Sequence, residues 1–149
     1  MGWVDDLAGQ LVGLDTAPLI YYIEEDPTYL PLVDPFFQAL ADGELRVVTS
    51  TITLVEVLTQ PLRQGSAELA AQYRDLLLAT EGLTVQPVSA SIAEEAARLR
   101  AVRELRTPDA IQLATARLAG AHIFVTNGTR LAAVPDLPVL VLDALHRPE

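Results

Sequence analysis

Short apolar runs alternate along the chain with longer segments of helical periodicity, and this alternation constrains the fold more than any other feature. Five runs have the length and composition of β-strands: Gln10–Leu14, Leu45–Thr49, Leu83–Pro87, His122–Thr126 and Val139–Leu142. Strands that alternate with helices form parallel sheets with helices on both faces. The sequence therefore predicts an α/β protein, a three-layer α/β/α sandwich around a parallel sheet of about five strands.

The segments between these runs carry helix signals. Capping residues, turn residues and apolar periodicity predict the helices: Pro18–Glu24, Pro31–Ala41, Ile52–Gln60, Ser66–Thr80, Ser89–Leu105 and one capped by Thr107. Pro61 is expected to end the third helix. A chain of 149 residues, half of them hydrophobic, can build one sizeable core but not two ordinary domains. We expect a single domain, residues 1–149.

Composition limits the chemistry that the chain can perform. There is no cysteine, and the two histidines, His122 and His146, are too few and too distant in sequence for a zinc triad. A bound metal would therefore be a hard cation held by oxygen, Mg²⁺ or Mn²⁺. The net charge of −10 argues against broad adhesion to nucleic acid but leaves room for a localised site.

The chain has no features of membrane insertion or secretion. Its first residues lack the basic and apolar regions of a signal peptide, and no apolar stretch is long enough to span a bilayer. We expect a soluble, cytoplasmic protein.

Asp109 is the first of three acids in unexpected positions. Thr107 is predicted to cap a helix, with Pro108 and Asp109 as its first two residues, and this helix is apolar on nearly every side. A carboxylate on a buried helix requires a partner or a metal, because an unpaired charge away from water is costly. An ordinary structural explanation, pairing with the helix dipole, is about equally good for Asp109 alone.

Asp15 and Glu56 are the other two acids. Asp15 follows the first strand, where a turn or capping role is the ordinary explanation. Glu56 lies among apolar residues in mid-helix, from which a flexible side chain could also reach solvent. If the strands are parallel, Asp15, Glu56 and Asp109 all lie over the carboxyl edge of the sheet, where ligands bind in open α/β folds. Three carboxylates without lysine partners indicate a divalent cation or a raised pKa.

This arrangement predicts metal-assisted hydrolysis. Two cations about 3.5–4 Å apart could activate a water molecule and stabilise the leaving oxygen of a phosphodiester. Arg103 and Arg106 are expected to lie beside Asp109, where either could pair with a site carboxylate or contact a phosphate. For Arg103, a position at the helix end that favours the dipole is the more ordinary explanation.

Four segments together resemble a known family, that of PIN-domain proteins, the ribonuclease fold of VapC-type toxins. They occur in the family's order and span nearly the whole chain: residues 14–21 (LDTAPLIY), 53–58 (TLVEVL), 107–114 (TPDAIQLA) and 124–128 (FVTNG). The resemblance implies Mg²⁺- or Mn²⁺-dependent cleavage of RNA by a metal-activated water, with Asp15, Glu56 and Asp109 as catalytic metal ligands. It also implies an antitoxin partner and a homodimer.

One position departs from the family pattern. The segment after the fourth strand commonly reads Thr-Asn-Asp in this family, whereas Gly128 follows Thr126 and Asn127 here, so the fourth acid is absent. Asn127 is assigned a catalytic role, in which it would position a ligand or water, although Asn-Gly is also an ordinary turn. This departure leaves open whether the site binds one metal or two.

Other functions are possible for the same sequence. A catalytically weak PIN module that acts by binding protein or RNA is favoured by the absent fourth acid and the negative charge. A phosphatase of the haloacid dehalogenase type would need a second aspartate at position 17, which is alanine. A nucleotide-binding module is disfavoured because the chain has no glycine-rich phosphate loop.

Overall fold

A five-stranded parallel sheet forms the centre of the protein. The computed structural model describes residues 2–128, 131 and 136–145, and all structural statements below refer to these residues. The strands are β1 (Leu11–Leu14), β2 (Arg46–Ser50), β3 (Leu83–Gln86), β4 (Ile123–Thr126) and β5 (Val139–Val141). Their order in the sheet is β3-β2-β1-β4-β5, and every neighbouring pair is parallel. The predicted strands and their parallel pairing are confirmed.

Seven α-helices are found within the described residues. They are α1 (Thr16–Ile23), α2 (Leu30–Ala41), α3 (Thr51–Arg63), α4 (Ala67–Ala79), α5 (Ala90–Val102), α6 (Thr107–Leu118) and α7 (Leu142–Leu145). A short 3₁₀ turn, Asp5–Leu7, precedes β1. The last helix, α7, is a single turn that the sequence analysis did not predict.

Two apolar cores flank the sheet and make the three layers. One core contains buried residues of α1 to α4, such as Leu19, Phe36 and Tyr73. The other contains buried residues of α5 and α6, such as Leu99 and Leu113. The expected α/β/α sandwich is therefore confirmed.

Gly13 brings α6 close to the central strand. A Cβ atom at this position would lie 2.5 Å from the Cβ of Ala116 and 2.9 Å from the ring of Phe124. Because neither the helix nor the ring could retreat without opening the core, only glycine fits here. The missing side chain thus lets the helix that carries Asp109 pack directly against β1, which ends beside Asp15.

Three predicted helix boundaries were wrong. Pro61 does not end α3, because it lies in the last turns, where its missing amide interrupts one hydrogen bond while its carbonyl accepts from Ser66 N at 2.8 Å. Helix α5 ends at Val102, before Arg103 in extended conformation. Thr107 is not the cap of α6 but its first residue, because Arg106 is the extended residue that precedes the helix.

The remaining sequence expectations concern membrane spans and the second histidine. Among the described residues, none of the helices combines the length and the apolar composition needed to cross a bilayer. His146 lies outside the described residues.

Candidate active site

The three acids that the sequence analysis selected line one cavity of about 590 Å³. Asp15 is the residue after β1, Glu56 lies on α3 and Asp109 on the first turn of α6. The cavity opens at the carboxyl edge of the sheet, because α1, α3 and α6 meet there. Arg106, Asn127 and Gly128 line the same cavity. The structure thus brings the predicted residues together, while their roles in metal binding and catalysis stay predictions.

Asp15 is held at both of its carboxylate oxygens. Its Oδ1 accepts a hydrogen bond from the amide of Thr16 at 2.8 Å, so the residue caps α1. Its Oδ2 accepts from the hydroxyl of Thr126, at the end of β4, at 2.7 Å. The capping explanation for Asp15 is therefore confirmed, and it is compatible with the position of the residue in the cavity, where its role as a metal ligand stays a prediction.

The electrostatic environment of Asp15 opposes its ionisation. Burial raises the pKa of Asp15 above its ordinary value, and the negative charges of Asp109 and Glu56 raise it further. The hydrogen bonds from Thr126 and Thr16 act in the opposite direction but do not cancel the effect of burial. A cation in the cavity would remove this penalty by favouring the charged carboxylate.

Glu56 is positioned by a hydroxyl group from the neighbouring helix. The Thr16 hydroxyl donates to Glu56 Oε1 at 2.5 Å. Glu56 Oε2 has no hydrogen-bond partner among the described residues, and the side chain is half-buried beside the cavity. This oxygen is therefore available to a ligand.

A buried layer of neutral polar side chains lies beneath these two acids. Gln112 on α6 donates through Nε2 to the hydroxyls of Thr53 at 2.6 Å and Thr16 at 3.3 Å. Thr49, at the end of β2, lies 2.8 Å from Thr53 and donates to the carbonyl of Leu14 at 2.9 Å. We call Thr16, Thr49, Thr53 and Gln112 the hydroxyl layer. It connects β2, α1, α3 and α6, and it contains no charged group.

Asp109 has a charged partner. Both of its carboxylate oxygens accept hydrogen bonds from the guanidinium of Arg106, from Nε at 3.0 Å and from Nη2 at 3.2 Å. The aspartate side chain is 14% exposed and the arginine 63% exposed. The prediction that Arg106 meets a site carboxylate is supported by this geometry. Arg103 pairs with no site acid among the described residues; it is half-buried outside the cavity.

Asn127 makes structural contacts with both ends of its amide. Its Nδ2 donates to the hydroxyl of Tyr21 at 3.1 Å. Its Oδ1 accepts from the amide of Asp143, in the first turn of α7, at 2.8 Å. The Tyr21 ring stacks on Tyr29, whose hydroxyl donates to Asp143 Oδ1 at 2.6 Å. Asn127 therefore lines the cavity but is already committed to holding α1 and α7 together.

Gly128, the position at which the sequence resemblance predicts a fourth acid, lines the cavity. Its amide donates to the hydroxyl of Thr126 at 2.9 Å, which in turn binds Asp15. Its φ is outside the left-handed region, and the nearest atoms of described residues to an added Cβ would be Thr126 Oγ1 at 3.5 Å and Leu131 Cδ1 at 3.6 Å. An L-residue would therefore fit here without strain.

The donor groups of the cavity fit a hard divalent cation. Its potential ligands are carboxylate, amide and hydroxyl oxygens, which Mg²⁺ and Mn²⁺ prefer. Within the described part of the chain, no three Asp, Glu or His side chains lie close enough together to hold one ion. The three carboxylates share a cavity but would move closer around a cation, and Asp109 would exchange part of its contact with Arg106.

Comparison with known protein families shows to which family the chain belongs. Residues 12–137 match the sequence profile of the PIN domain. The chain belongs to the PIN domain family. The resemblance inferred from the four sequence segments is thereby confirmed. Comparison with curated proteins finds no match.

Solved structures of VapC-type toxins share this PIN fold. VapBC2 from Rickettsia felis, bound to a DNA fragment from the promoter, is 20% identical, with a TM-score of 0.69 over 88% of this chain and 98% of that chain. A toxin-antitoxin complex from Klebsiella pneumoniae is 24% identical, with a TM-score of 0.62 over 87% and 95%. The sarcin-ricin loop cleaving toxin VapC20 of Mycobacterium tuberculosis is 19% identical, with a TM-score of 0.62 over 76% and 86%. At these identities the likeness shows the fold.

Sequence reasoning found the acids and allowed for a hydrogen bond from Thr126 to one of them, but it missed the hydroxyl layer beneath Asp15 and Glu56. The hydroxyl layer was not predicted because threonine and glutamine are ordinary surface residues. The available signal was their setting: Thr49, Thr53 and Gln112 lie among apolar neighbours in segments that the pattern already predicts to be buried.

Proposed function

We propose that this PIN-domain protein is a metal-dependent endoribonuclease that hydrolyses RNA phosphodiester bonds. The observation that carries the proposal is the convergence of Asp15, Glu56 and Asp109, from three separate βα units, on one cavity at the carboxyl edge of the sheet. Membership of the PIN domain family supports it, as does the fold shared with a toxin that cleaves the sarcin-ricin loop.

Asp15, Glu56 and Asp109 would hold Mg²⁺ or Mn²⁺. The bound cation would supply a more acidic water and offset the charge of the phosphate. Thr126 and Thr16 fix the orientation of Asp15, and Thr16 also fixes Glu56. These contacts hold the carboxylates in place before a ligand arrives.

Arg106 and Asn127 would act around these ligands. The guanidinium of Arg106 lines the cavity and has the planar donor geometry that suits phosphate oxygens. The amide of Asn127 would hold the wall that Tyr21 forms, and so position a ligand through its neighbours.

We further propose that the protein is the toxin of a toxin-antitoxin pair. The Rickettsia felis and Klebsiella pneumoniae structures with the same fold are complexes of this kind. On this proposal the partner is a cognate antitoxin protein, the toxin is a homodimer, and both act in the cytoplasm, where the RNA substrate is found.

RNA cleavage by the purified protein tests the proposed activity. Wild-type protein should cleave single-stranded and stem-loop RNA with Mg²⁺ or Mn²⁺ and not with EDTA. Asp15→Asn should lower the rate by more than about 100-fold, because even the outer partners of metal ligands are worth about 10- to 100-fold. Asp75→Asn, a matched change at an exposed acid on α4, should have no effect.

A catalytically weak binding module is the second candidate function. Two observations favour it: Gly128 stands where the family has its fourth acid, and Arg106 already neutralises Asp109. Metal-dependent cleavage that Asp15→Asn abolishes would exclude this candidate. RNA binding without cleavage, unchanged in Asp15→Asn, would establish it.

A further inference from the structure

A groove of about 860 Å³ adjoins the candidate active site. It lies where α5 ends and α6 begins, and it is lined by Arg100, Arg103, Glu104, Leu105, Arg106 and Asp109. Arg106 and Asp109 also line the active-site cavity, so the groove and the cavity share a wall. A ligand could therefore extend continuously from one into the other. We call this region the arginine groove.

The charge of the arginine groove is opposite to that of the protein as a whole. Three guanidinium groups and two carboxylates line it, which leaves an excess of positive charge on a chain of net charge −10. Because Asp109 is already paired with Arg106, Glu104 is the one carboxylate of the lining that could oppose Arg100 and Arg103, and it forms no ion pair among the described residues. The local field in the groove therefore favours an anion.

Arg103 and Arg100 have donor groups available for such an anion. Arg103 is half-buried and has neither an ion pair nor a side-chain hydrogen bond among the described residues. Arg100 donates through Nε to the carbonyl of Leu105 at 2.9 Å, which fixes the side chain and leaves its terminal nitrogens without a protein acceptor in the same region. By contrast, Arg98 pairs with the exposed Glu94 and with the buried Glu95, both on α5.

We propose that the arginine groove binds the phosphate backbone of single-stranded RNA and guides the strand into the active site. The inference depends on the proposed function, since it assigns the path of that substrate. The shared wall favours RNA over an acidic protein segment, because the groove opens directly beside Asp109, where the proposed function places a phosphate of the RNA. Phosphate contacts by arginine position a strand without reading its sequence.

Binding of a fluorescent 12-nucleotide oligouridylate tests the proposal. It is measured by fluorescence anisotropy in the presence of EDTA, which prevents metal-dependent cleavage. Arg103→Gln should weaken binding about tenfold near 0.1 M salt, and each lost phosphate contact should reduce the slope of log K against log salt by about 0.7. Arg103→Lys, which keeps the charge, should restore most of the affinity. Arg46→Gln, at an exposed arginine on the opposite edge of the sheet, should stay within twofold of wild type.

The outcomes separate this proposal from the proposed function. Equal affinities and salt slopes for Arg103→Gln and Arg46→Gln would overturn the groove, even if the protein cleaves RNA. Displacement of the RNA by an equal concentration of decaglutamate would also overturn the proposal, in favour of an acidic protein partner. Binding that depends on Arg103 would support the groove even if metal-dependent cleavage were absent, and that absence would count against the proposed function alone.

Discussion

Asp15 and Glu56 are held by hydroxyl groups, whereas Asp109 is held by an arginine. The hydroxyls of Thr126 and Thr16 orient their carboxylates and leave the negative charges in place. Arg106 orients Asp109 and also neutralises it. The two halves of the proposed cation site therefore differ: Asp15 and Glu56 would meet a cation while keeping their hydroxyl partners, whereas Asp109 would exchange its contact with Arg106 for one with the cation.

This difference also separates buried from exposed interactions. The hydroxyl layer is buried and satisfied throughout, so each of its hydrogen bonds supports the others. In the Arg106–Asp109 pair the aspartate is largely buried but the guanidinium is exposed, so water screens the pair and its contribution is about 0–1 kcal/mol, as for exposed ion pairs. We therefore expect changes in the first half to affect stability as well as metal binding, and changes in the second half to affect metal binding and cleavage with little effect on stability.

Among changes to the residues that hold the three acids, the largest effect should follow from removing a hydroxyl beneath the carboxylates. Thr16→Val deletes the donor to Glu56 and an acceptor of Gln112, and should lower metal affinity or cleavage by about 10- to 100-fold. It should also lower the free energy of unfolding by about 1–2 kcal/mol, because buried polar groups lose partners. Calorimetric metal titration and urea denaturation measure the two effects.

Two matched variants control this prediction. Thr16→Ser keeps the hydroxyl and should recover both properties, and Thr84→Val, at an exposed threonine of β3, should change neither. Wild-type metal affinity in Thr16→Val would mean that the hydroxyl layer does not prepare the site.

A smaller effect of opposite sign should follow from removing the arginine. Arg106→Gln frees Asp109 and should tighten Mn²⁺ binding by up to about fivefold, the factor that an exposed ion pair corresponds to. Cleavage at saturating metal should nevertheless fall, because the guanidinium would no longer bind the phosphate. Arg98→Gln, at an equally exposed arginine whose side chain bonds Glu95, provides the control. Metal affinity that fell together with cleavage in Arg106→Gln would remove the contrast between the two halves.

The smallest effect concerns the corner where the family's fourth acid is absent. Gly128→Asp fits the backbone without strain. The new carboxylate should therefore strengthen the binding of a second metal ion and raise the cleavage rate at low Mg²⁺ concentration by a few-fold. The neutral variant Gly128→Asn should not. The rate is measured against Mg²⁺ concentration, with circular dichroism to check folding. An unchanged metal dependence in the folded Gly128→Asp protein would mean that a side chain at position 128 does not reach the site.

The sequence predicted the sheet and the three acids because both depend on local patterns. Apolar runs between helical segments imply parallel strands, and parallel strands bring their carboxyl ends to one edge. The convergence of the acids can therefore be predicted without knowing the distances between them. The pairing of Arg106 with a site carboxylate could also be expected, because Arg106 and Asp109 are three positions apart along the chain.

The remaining features depend on contacts that no local pattern encodes. The hydroxyl layer joins residues 16, 49, 53 and 112, and its existence depends on how closely α6 approaches β1 at Gly13. Asn127 could be expected to face the site, but its bonds to Tyr21 and Asp143 depend on a helical turn after β5 that is too short to predict. Thr107 was a plausible helix cap, and only the extended backbone of Arg106 shows otherwise.

Calorimetric titration with Mn²⁺ tests the central claim, that Asp15, Glu56 and Asp109 form one cation site. Wild-type protein should bind at least one Mn²⁺, and Asp15→Asn, Glu56→Gln and Asp109→Asn should each weaken binding by more than about tenfold, because each removes one oxygen ligand and one negative charge. Asp75→Asn should bind as wild type does. Equal Mn²⁺ affinity in wild type and in all three folded variants would contradict the account.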